Sequence, residues 1–276
     1  MLPYFEQHTM LAVYIKAIGI TAPGMNNWQE AQQVFCESEQ YSPQLLAKKL
    51  PTLLAANESR RASRVTQLAI SAAQQIASSE DLQNYLQIFS SSNGDLNIFH
   101  RISLALSMPG RPVSPTLFHN SVHNAPAGYW SIATDSQTAS TSITAYTDSL
   151  AAGLLEAAVQ LSSSDNYNQD DALLVCYDEI PPAFFLPQFP ITDEFSCALI
   201  LSTKADNALA KIELSLGNGS EIINHCSHPK LEQLRCANPQ AMILPLLEIL
   251  ARNFHQSQTI SLPYFEQGLN IIVSPP

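Results

Sequence analysis

The residues best placed to do chemistry lie where a short predicted strand meets a predicted helix, in Ala145-Tyr146-Thr147-Asp148-Ser149. Many acyl-transfer enzymes place a nucleophile at such a turn, because backbone amides at the start of a helix can stabilise negative charge there. No cysteine lies within twenty residues of this turn on either side. The sequence therefore predicts the structural element of an acyl-transfer site without its usual thiol.

Two serines and two histidines are weaker candidates. Ser121 and Ser149 could act as nucleophiles, but no base is identifiable for either, and helix caps or interface positions explain them better. His119 and His123 are four residues apart and could share a helical face. Without an acidic third group, we interpret the histidines as interface or core polar residues.

A further group carries residue types that bind metals, namely His225, Cys226, His228 and Cys236. Zinc sites usually show tighter, paired ligand spacing. We interpret this group as a polar loop, and we expect the protein to hold neither a metal nor a cofactor.

The strand and the helix on either side of the turn must position it. Residues 139–145 are rich in Ser, Thr and Ile, which favours a short strand. Residues 147–161 carry only two charges and have apolar side chains all around a helical wheel, which predicts a central, mostly buried helix. Asp148 and Ser149 lie in its first turn, where they can bind free N–H groups. The small residues around Gly153 would allow another backbone to approach closely.

Elsewhere, strand patterns and helix patterns alternate along the chain, which predicts an α/β fold. Predicted strands cover residues 10–20, 86–90 and 172–177, a strand pair at 195–203 and 209–216, and a closing strand or hairpin at 259–262 and 269–273. Predicted helices cover residues 28–36 behind an Asn26 or Asn27 cap, 60–79, 96–106 behind an Asp95 cap, one or two short helices in 116–134, and 239–254. Polar residues 162–171 and the turn at Gly217-Asn218-Gly219 are predicted to be loops.

Composition restricts the classes of partner. Charged residues make up 13% of the 276 residues, against about 25% in typical soluble domains, which indicates a large buried fraction or a surface covered by a partner. The formal net charge is −11, which argues against nucleic acid, because phosphate binding needs clustered Lys and Arg.

The five cysteines are an odd number without a framework spacing, which favours reduced thiols in the cytoplasm. We read no signal peptide, because the residues before the first apolar run lack a basic region. No run approaches the roughly 20 apolar residues of a membrane span.

The order of these motifs resembles that of the β-ketoacyl synthases. LAVYIKAIGITAPG is similar to their opening strand, and IFSSSNGDLNIFHRISLALSMPGRPVSP to their strand, helix and R-x-V-S-P loop. FHNSVHNAPAGYWSIAT resembles their interface helix, and STSITAYTDSLAAGLLEA their nucleophile strand and helix. DDALLVCYDEIPPAFF and FSCALILSTKADNALAKIELSL resemble the strands that follow. The remainder resembles a shorter subfamily, the one-half synthase-like chain length factors of aryl polyene biosynthesis.

This resemblance implies a fold. We expect a single domain over residues 1–276, with its core in 10–216 and a C-terminal helix–strand addition in 217–276. The expected architecture is α/β, a thiolase-like half with a mixed five-stranded sheet and helices on both faces.

Two departures from the family determine the implied function. The family nucleophile is a cysteine that aligns at about Tyr146, and the two family histidines come from a second half that is absent here. His225, His228 and His255 match no family motif. The resemblance therefore implies a non-catalytic chain length factor that forms a heterodimer with an active β-ketoacyl synthase subunit and meets acyl carrier protein only through that partner.

The resemblance also implies which residues meet the partner. In related pairs, side chains after the V-S-P loop reach the partner's acyl tunnel, and Phe118 would stop a growing chain by filling volume. The candidates for this role are Leu117, Phe118, His119, Ser121 and Val122. Ordinary core packing is the alternative for this region.

A second set of residues is implied at the dimer interface, where residues 137–145 pair across the axis in the family and hide an edge. An internal strand of a monomer is the alternative. The candidates are Thr138, Ser140, Ser142 and Thr144 on the strand, and Ala127, Gly128, Tyr129 and Trp130 on the helix before it.

Two other functions stay open. The chain could be a divergent acyltransferase or hydrolase that acts on acyl thioesters through Ser149 or another residue, and a covalent acyl adduct on the isolated chain would reveal it. It could also be a homodimeric acyl-binding scaffold that works without a synthase.

Overall fold

Strands and helices alternate along the chain in the computed structural model, which describes residues 10–37, 41–47, 51–76, 85–163, 169–217, 225–252 and 254–276. The strands are β1 (Leu11–Thr21), β2 (Leu86–Ser90), β3 (Ser140–Ile143), β4 (Asp171–Asp178), β5 (Phe195–Ser202), β6 (Ala210–Leu216), β7 (Gln258–Leu262) and β8 (Leu269–Ser274). The helices are α1 (Trp28–Cys36), α2 (Ala56–Arg61), α3 (Arg64–Ala73), α4 (Leu96–Ser107), α5 (Pro115–His119), α6 (Ala125–Thr134), α7 (Ser149–Ser162), α8 (Pro229–Ala237) and α9 (Leu244–Ala251).

One mixed sheet contains the eight described strands in the order β3-β2-β4-β5-β1-β6-β8-β7. Strands β3, β2 and β4 are parallel, and the other neighbouring pairs are antiparallel. The predicted count of five strands is therefore wrong. The physical reason is that β6 would expose an unpaired edge, and the C-terminal hairpin of β7 and β8 hydrogen-bonds to it instead. The predicted direct pairing of β5 with β6 is also wrong, because β1 lies between them.

Helices cover both faces of the sheet, as predicted. Helix α7 packs on β2, β4 and β1, whereas α3 and α6 pack on the opposite face. Strand β4 shows how one strand serves both faces: Leu174 and Cys176 belong to the α7 core, and Leu173 and Val175 belong to the α3 core. A strand buried on both faces reads as a continuous apolar run, which is what the sequence shows.

Two glycines allow helices to approach the sheet closely. A Cβ atom added to Gly153 would lie 3.0 Å from the Cβ atom of Ser90, so α7 contacts β2 through this residue. A Cβ atom added to Gly19 would lie 2.2 Å from the carbonyl oxygen of Ala72 in α3. The predicted close approach at Gly153 is confirmed.

Several helix boundaries differ from the predicted ones. The predicted helix over 60–79 is broken, because α2 ends at Arg61 and the Ser63 hydroxyl accepts a hydrogen bond from the N–H of Thr66 to start α3. The predicted helix over 239–254 begins as a 3₁₀ turn at Pro239–Ile243 and continues as α9, and α8 was not predicted. The caps at Asn27 and Asp95 are confirmed.

Some predictions fall on residues outside the described ranges. These are the order of residues 1–9, the end of the predicted helix at 77–79, part of the polar loop at 164–168, and Asn218 and Gly219 of the predicted turn. Among the helices that are described, none combines the length and the apolar character needed to cross a bilayer.

Candidate functional site

A sharp turn joins β3 to α7 at the carboxyl ends of the parallel strands. Tyr146 opens this turn with a φ of 54°, in the left-handed region that residues with a Cβ atom rarely adopt. The buried Ser149 hydroxyl holds the turn, since its Oγ accepts the N–H of Ala145 at 2.8 Å and donates to the carbonyl oxygen of Tyr146 at 2.8 Å. Both hydrogen-bonding roles of Ser149 are thus used within the turn.

The Tyr146 side chain is fixed at its hydroxyl and along its ring. The hydroxyl donates to the carbonyl oxygen of Gln188 at 2.6 Å, and the ring packs edge-to-face on Phe189 with centroids 5.6 Å apart. The side chain is still 46% exposed. The position at which the resemblance places a nucleophile therefore holds an anchored aromatic ring.

Asp148 ties the loop between β7 and β8 to the start of α7. Its Oδ2 accepts the N–H of Phe265 at 2.7 Å. Phe265 is itself left-handed, with a φ of 47°, and its side chain is exposed. The prediction that Asp148 and Ser149 bind amides of their own helix is wrong, because both side chains bind backbone groups outside α7, which hold the turn and the loop in place.

A buried carboxylate fixes the loop that follows β2. Asp178 stands at the end of β4 and accepts hydrogen bonds from the Ser91 hydroxyl at 2.8 Å, from the N–H and hydroxyl of Ser92, and from the Gln240 amide at 3.2 Å. Burial raises the pKa of Asp178 to about 6, although the hydrogen bonds from Ser92 and Ser91 act in the opposite direction.

A second pair of carboxyl groups lies beside this network. Burial, and then the charge of Asp95, raise the pKa of Glu179 to about 8. Asp95 Oδ1 caps α4 by accepting the N–H of Ile98 at 2.7 Å. Asp95 Oδ2 and Glu179 Oε1 are both buried without a hydrogen-bonding partner among the described residues, apart from a proton that the two could share.

A pocket of about 130 Å³ opens beside Tyr146. Its walls come from the turn, from the segment at 189–191, from α8 and the 3₁₀ turn after it, and from Pro263 before the β7–β8 loop. Asn93 and Cys236 also line it. This is the carboxyl edge of the parallel strands, where open α/β sheets usually bind ligands.

The five tunnel candidates lie on or just after α5, at the surface. Phe118 is 70% exposed and Val122 is 53% exposed, while Leu117 is half-buried. Ser121 donates its hydroxyl to the carbonyl oxygen of Phe118 at 2.8 Å, and the exposed His119 contacts the ring of Tyr129. Ordinary core packing is therefore excluded for Phe118 and Val122.

The exposed apolar surface continues over α4, where Ile98 is the one buried residue of twelve. Seven of the fifteen large apolar side chains exposed by the described residues fall within residues 96–134. The same segment contains two arginines, three histidines and no acidic residue, in a chain with a net charge of −11. The absence of acidic residues across this segment is the sequence signal of this surface, and the predictions from sequence did not use it.

The interface candidates on α6 divide into two groups. Ala127, Tyr129 and Trp130 are buried in the core that α6 shares with α3, so their side chains are not available to another chain. Gly128 is exposed, and a Cβ atom added there would have no neighbour within 4 Å.

The strand candidates lie on or beside β3, which is an edge strand because it pairs with β2 alone among the described strands. Ser140 and Thr144 are exposed, whereas Thr138 and Ser142 are half-buried. The Thr144 hydroxyl donates to the carbonyl oxygen of Ser92 at 2.9 Å. The alternative of an internal strand is therefore wrong.

The remaining candidates do not assemble into a chemical site. Helix α5 ends at His119, so His123 lies beyond it and the shared helical face is wrong. Nδ1 of His225 lies 2.9 Å from Oε1 of Glu232, which also accepts from Arg235. Within the described ranges, no group of three or more His, Cys, Asp or Glu side chains could hold a metal ion.

The family model described as "Beta-ketoacyl synthase, N-terminal domain" matches residues 26–260. No curated protein matches the sequence.

Three solved structures are similar over nearly the whole chain. A chain from the ketosynthase ApeO in complex with its chain length factor ApeC, from Xenorhabdus doucetiae, superposes with a TM-score of 0.73 at 20% identity and covers 95% of this chain and 99% of that one. The ishigamide ketosynthase/chain length factor gives 0.69 at 12% identity, with 95% and 98% coverage. The AntDE:AntF complex, a ketosynthase with its acyl-carrier protein, gives 0.71 at 11% identity, with 96% and 99% coverage. These superpositions confirm the thiolase-like fold.

Proposed function

Because the chain belongs to the β-ketoacyl synthase N-terminal domain family, we propose that it is a non-catalytic subunit of a ketosynthase heterodimer. In this role it stabilises an active synthase and limits the length of the acyl chain that the synthase builds on an acyl carrier protein. The partner supplies the nucleophile, the bases and the docking site for the carrier.

The observation that carries the proposal is Tyr146. Covalent acyl transfer needs an activated nucleophile on the turn, and a phenol that already donates to the Gln188 carbonyl oxygen is not one. Ser149, the neighbouring hydroxyl, is buried and engaged with Ala145 and Tyr146. Neither hydroxyl is therefore free to act as a nucleophile, which favours a structural role for this chain.

Two surface features support a protein partner. The outer edge of β3 pairs with none of the described strands and offers backbone groups to another chain, and the apolar side chains of α4 and α5 form a surface that water solvates poorly. Two of the similar structures are ketosynthases with chain length factors. Phe118 stands on this surface and would reach a partner's acyl tunnel from it.

Co-expression tests the proposal. The chain is produced with and without a ketosynthase from the same organism, and each preparation is examined by size-exclusion chromatography with mass determination and by a condensation assay. We expect a one-to-one complex that is active only when both chains are present. A synthase that works alone while this chain remains unassociated would refute the proposal.

Two variants sharpen this test. In the active complex, Phe118→Ala should shift the products to longer chains, because a volume that stops the acyl chain is removed. Leu45→Ala, which changes an apolar side chain that is 88% exposed and lies outside 96–134, should leave the product length unchanged.

Mass spectrometry of the isolated chain tests the enzymatic alternative. After incubation with an acyl-CoA we expect the unmodified mass. An acyl adduct that maps to Ser149 or to another residue of the turn would favour an acyltransferase or a hydrolase instead.

A further inference from the structure

We propose that the pocket beside Tyr146 is a binding site for a small, flat, apolar molecule with one hydrogen-bond acceptor, of the size of a phenol. This goes beyond the proposed function, which requires no ligand on this chain. The pocket volume is about 130 Å³. An apolar protein cavity of about 150 Å³ binds benzene, so a single six-membered ring is the right size of occupant.

The walls favour an aromatic ring. Tyr146 and Phe189 contribute aromatic side chains, Ile191 and Pro263 contribute aliphatic surface, and Met242 adds a flexible thioether that adapts to the shape of a ligand. Tyr146 and Phe189 already contact each other edge-to-face, and the Tyr146 hydroxyl is bound to Gln188. This part of the pocket is therefore formed before any ligand arrives.

The polar part of the lining favours a hydrogen-bond acceptor. Asn93 lines the pocket, and its buried Nδ2 has no hydrogen-bonding partner among the described residues. Asn238 also lines the pocket, but its amide already donates to the carbonyl oxygen of Asp193 at 2.9 Å and accepts the N–H of Gln240 at 2.9 Å. A buried amide donor without a partner is rare in proteins, and a ligand oxygen would satisfy it.

Cys236 gives the pocket a built-in reporter. Cys236 is exposed and lines the pocket, whereas Cys36, the other exposed cysteine, lies on α1 and does not line it. Cys176, Cys197 and Cys226 are buried. Alkylation by iodoacetamide, followed by peptide mass spectrometry, therefore compares a site in the pocket with a matched site elsewhere on the same molecule.

The experiment uses phenol as the probe and benzene as the control that lacks an acceptor. We expect saturating phenol to slow the alkylation of Cys236 at least fivefold and to leave Cys36 unchanged, with less protection from benzene at the same concentration. Equal effects on both cysteines, or no effect on Cys236, would overturn the proposal.

Two variants, followed by saturation-transfer NMR of phenol, complete the test. Cys236→Phe should fill the pocket and reduce the phenol signal at least tenfold, while Cys36→Phe should retain it. Asn93→Ala should lower the phenol signal to the level of benzene. Circular dichroism checks that each variant is folded, and undiminished phenol binding to folded Cys236→Phe would place the ligand elsewhere and refute the assignment.

Discussion

The left-handed backbone of Tyr146 makes a prediction that separates backbone strain from side-chain contacts. Tyr146→Gly and Tyr146→Ala both remove the ring and its hydrogen bond to Gln188, so they differ only by a Cβ atom at a φ of 54°. A Cβ atom in this region destabilises the folded alanine variant by about 1–2 kcal/mol. The additional conformational freedom of glycine in the unfolded chain destabilises the glycine variant by about 0.4–1 kcal/mol. The glycine variant should therefore be the more stable by about 1 kcal/mol.

Urea unfolding followed by tryptophan fluorescence measures this difference, provided that both variants share one m-value. Val159, which is exposed in the right-handed helix α7, provides the control. There the order should reverse, with Val159→Ala more stable than Val159→Gly by about 1 kcal/mol. An alanine variant that is as stable as the glycine variant, or more stable, would show that the backbone at position 146 is not strained.

Three further predictions follow from glycine contacts, a buried carboxyl group and an exposed aromatic ring. Gly19→Ala should lower the free energy of unfolding by about 3 kcal/mol or more, because its Cβ atom would lie 2.2 Å from the Ala72 carbonyl oxygen. Gly128→Ala should raise the free energy of unfolding by about 1 kcal/mol, because a Cβ atom at this position in α6 would have no neighbour within 4 Å. Urea titrations compare the two variants. The raised pKa of Glu179 contributes stability that is complete below about pH 4.5 and decreases as the pH rises to about 8. Glu179→Gln should therefore flatten the decrease in the free energy of unfolding that the wild type shows across this window. A decrease of unchanged slope in the variant would mean that other groups cause it. Phe118→Ala should change the free energy of unfolding of the isolated chain by less than about 0.5 kcal/mol, because the ring is 70% exposed, so a large loss of stability would mean that the ring packs in the core.

Most elements of the fold could be predicted from sequence because their signals are local. Apolar runs such as the one in β4 and side-chain caps such as Asp95 depend on neighbouring residues, and both are found where expected. The strand count could not be obtained in this way. Whether the C-terminal hairpin joins the sheet depends on an edge of β6 that only the folded chain presents.

The candidate site was likewise predictable only where its signals are local. The turn and its missing thiol were evident from a few consecutive residues around Tyr146. The pocket was not, because Asn93, Cys236 and Pro263 come from distant parts of the chain. The partner of Asp148 was also missed, because propensity predicts that such a residue caps its own helix and cannot anticipate a loop more than a hundred residues away.

The position of β1 has a consequence for how the chain folds. The first described strand, β1, lies between β5 and β6. The strands that pair with its two edges are therefore synthesised almost two hundred residues after it. A nascent chain must therefore carry an apolar, unpaired strand through most of its synthesis, and such non-local pairing slows folding and exposes intermediates to aggregation. Production of the protein should accordingly respond to translation speed and to chaperones that shield extended apolar segments.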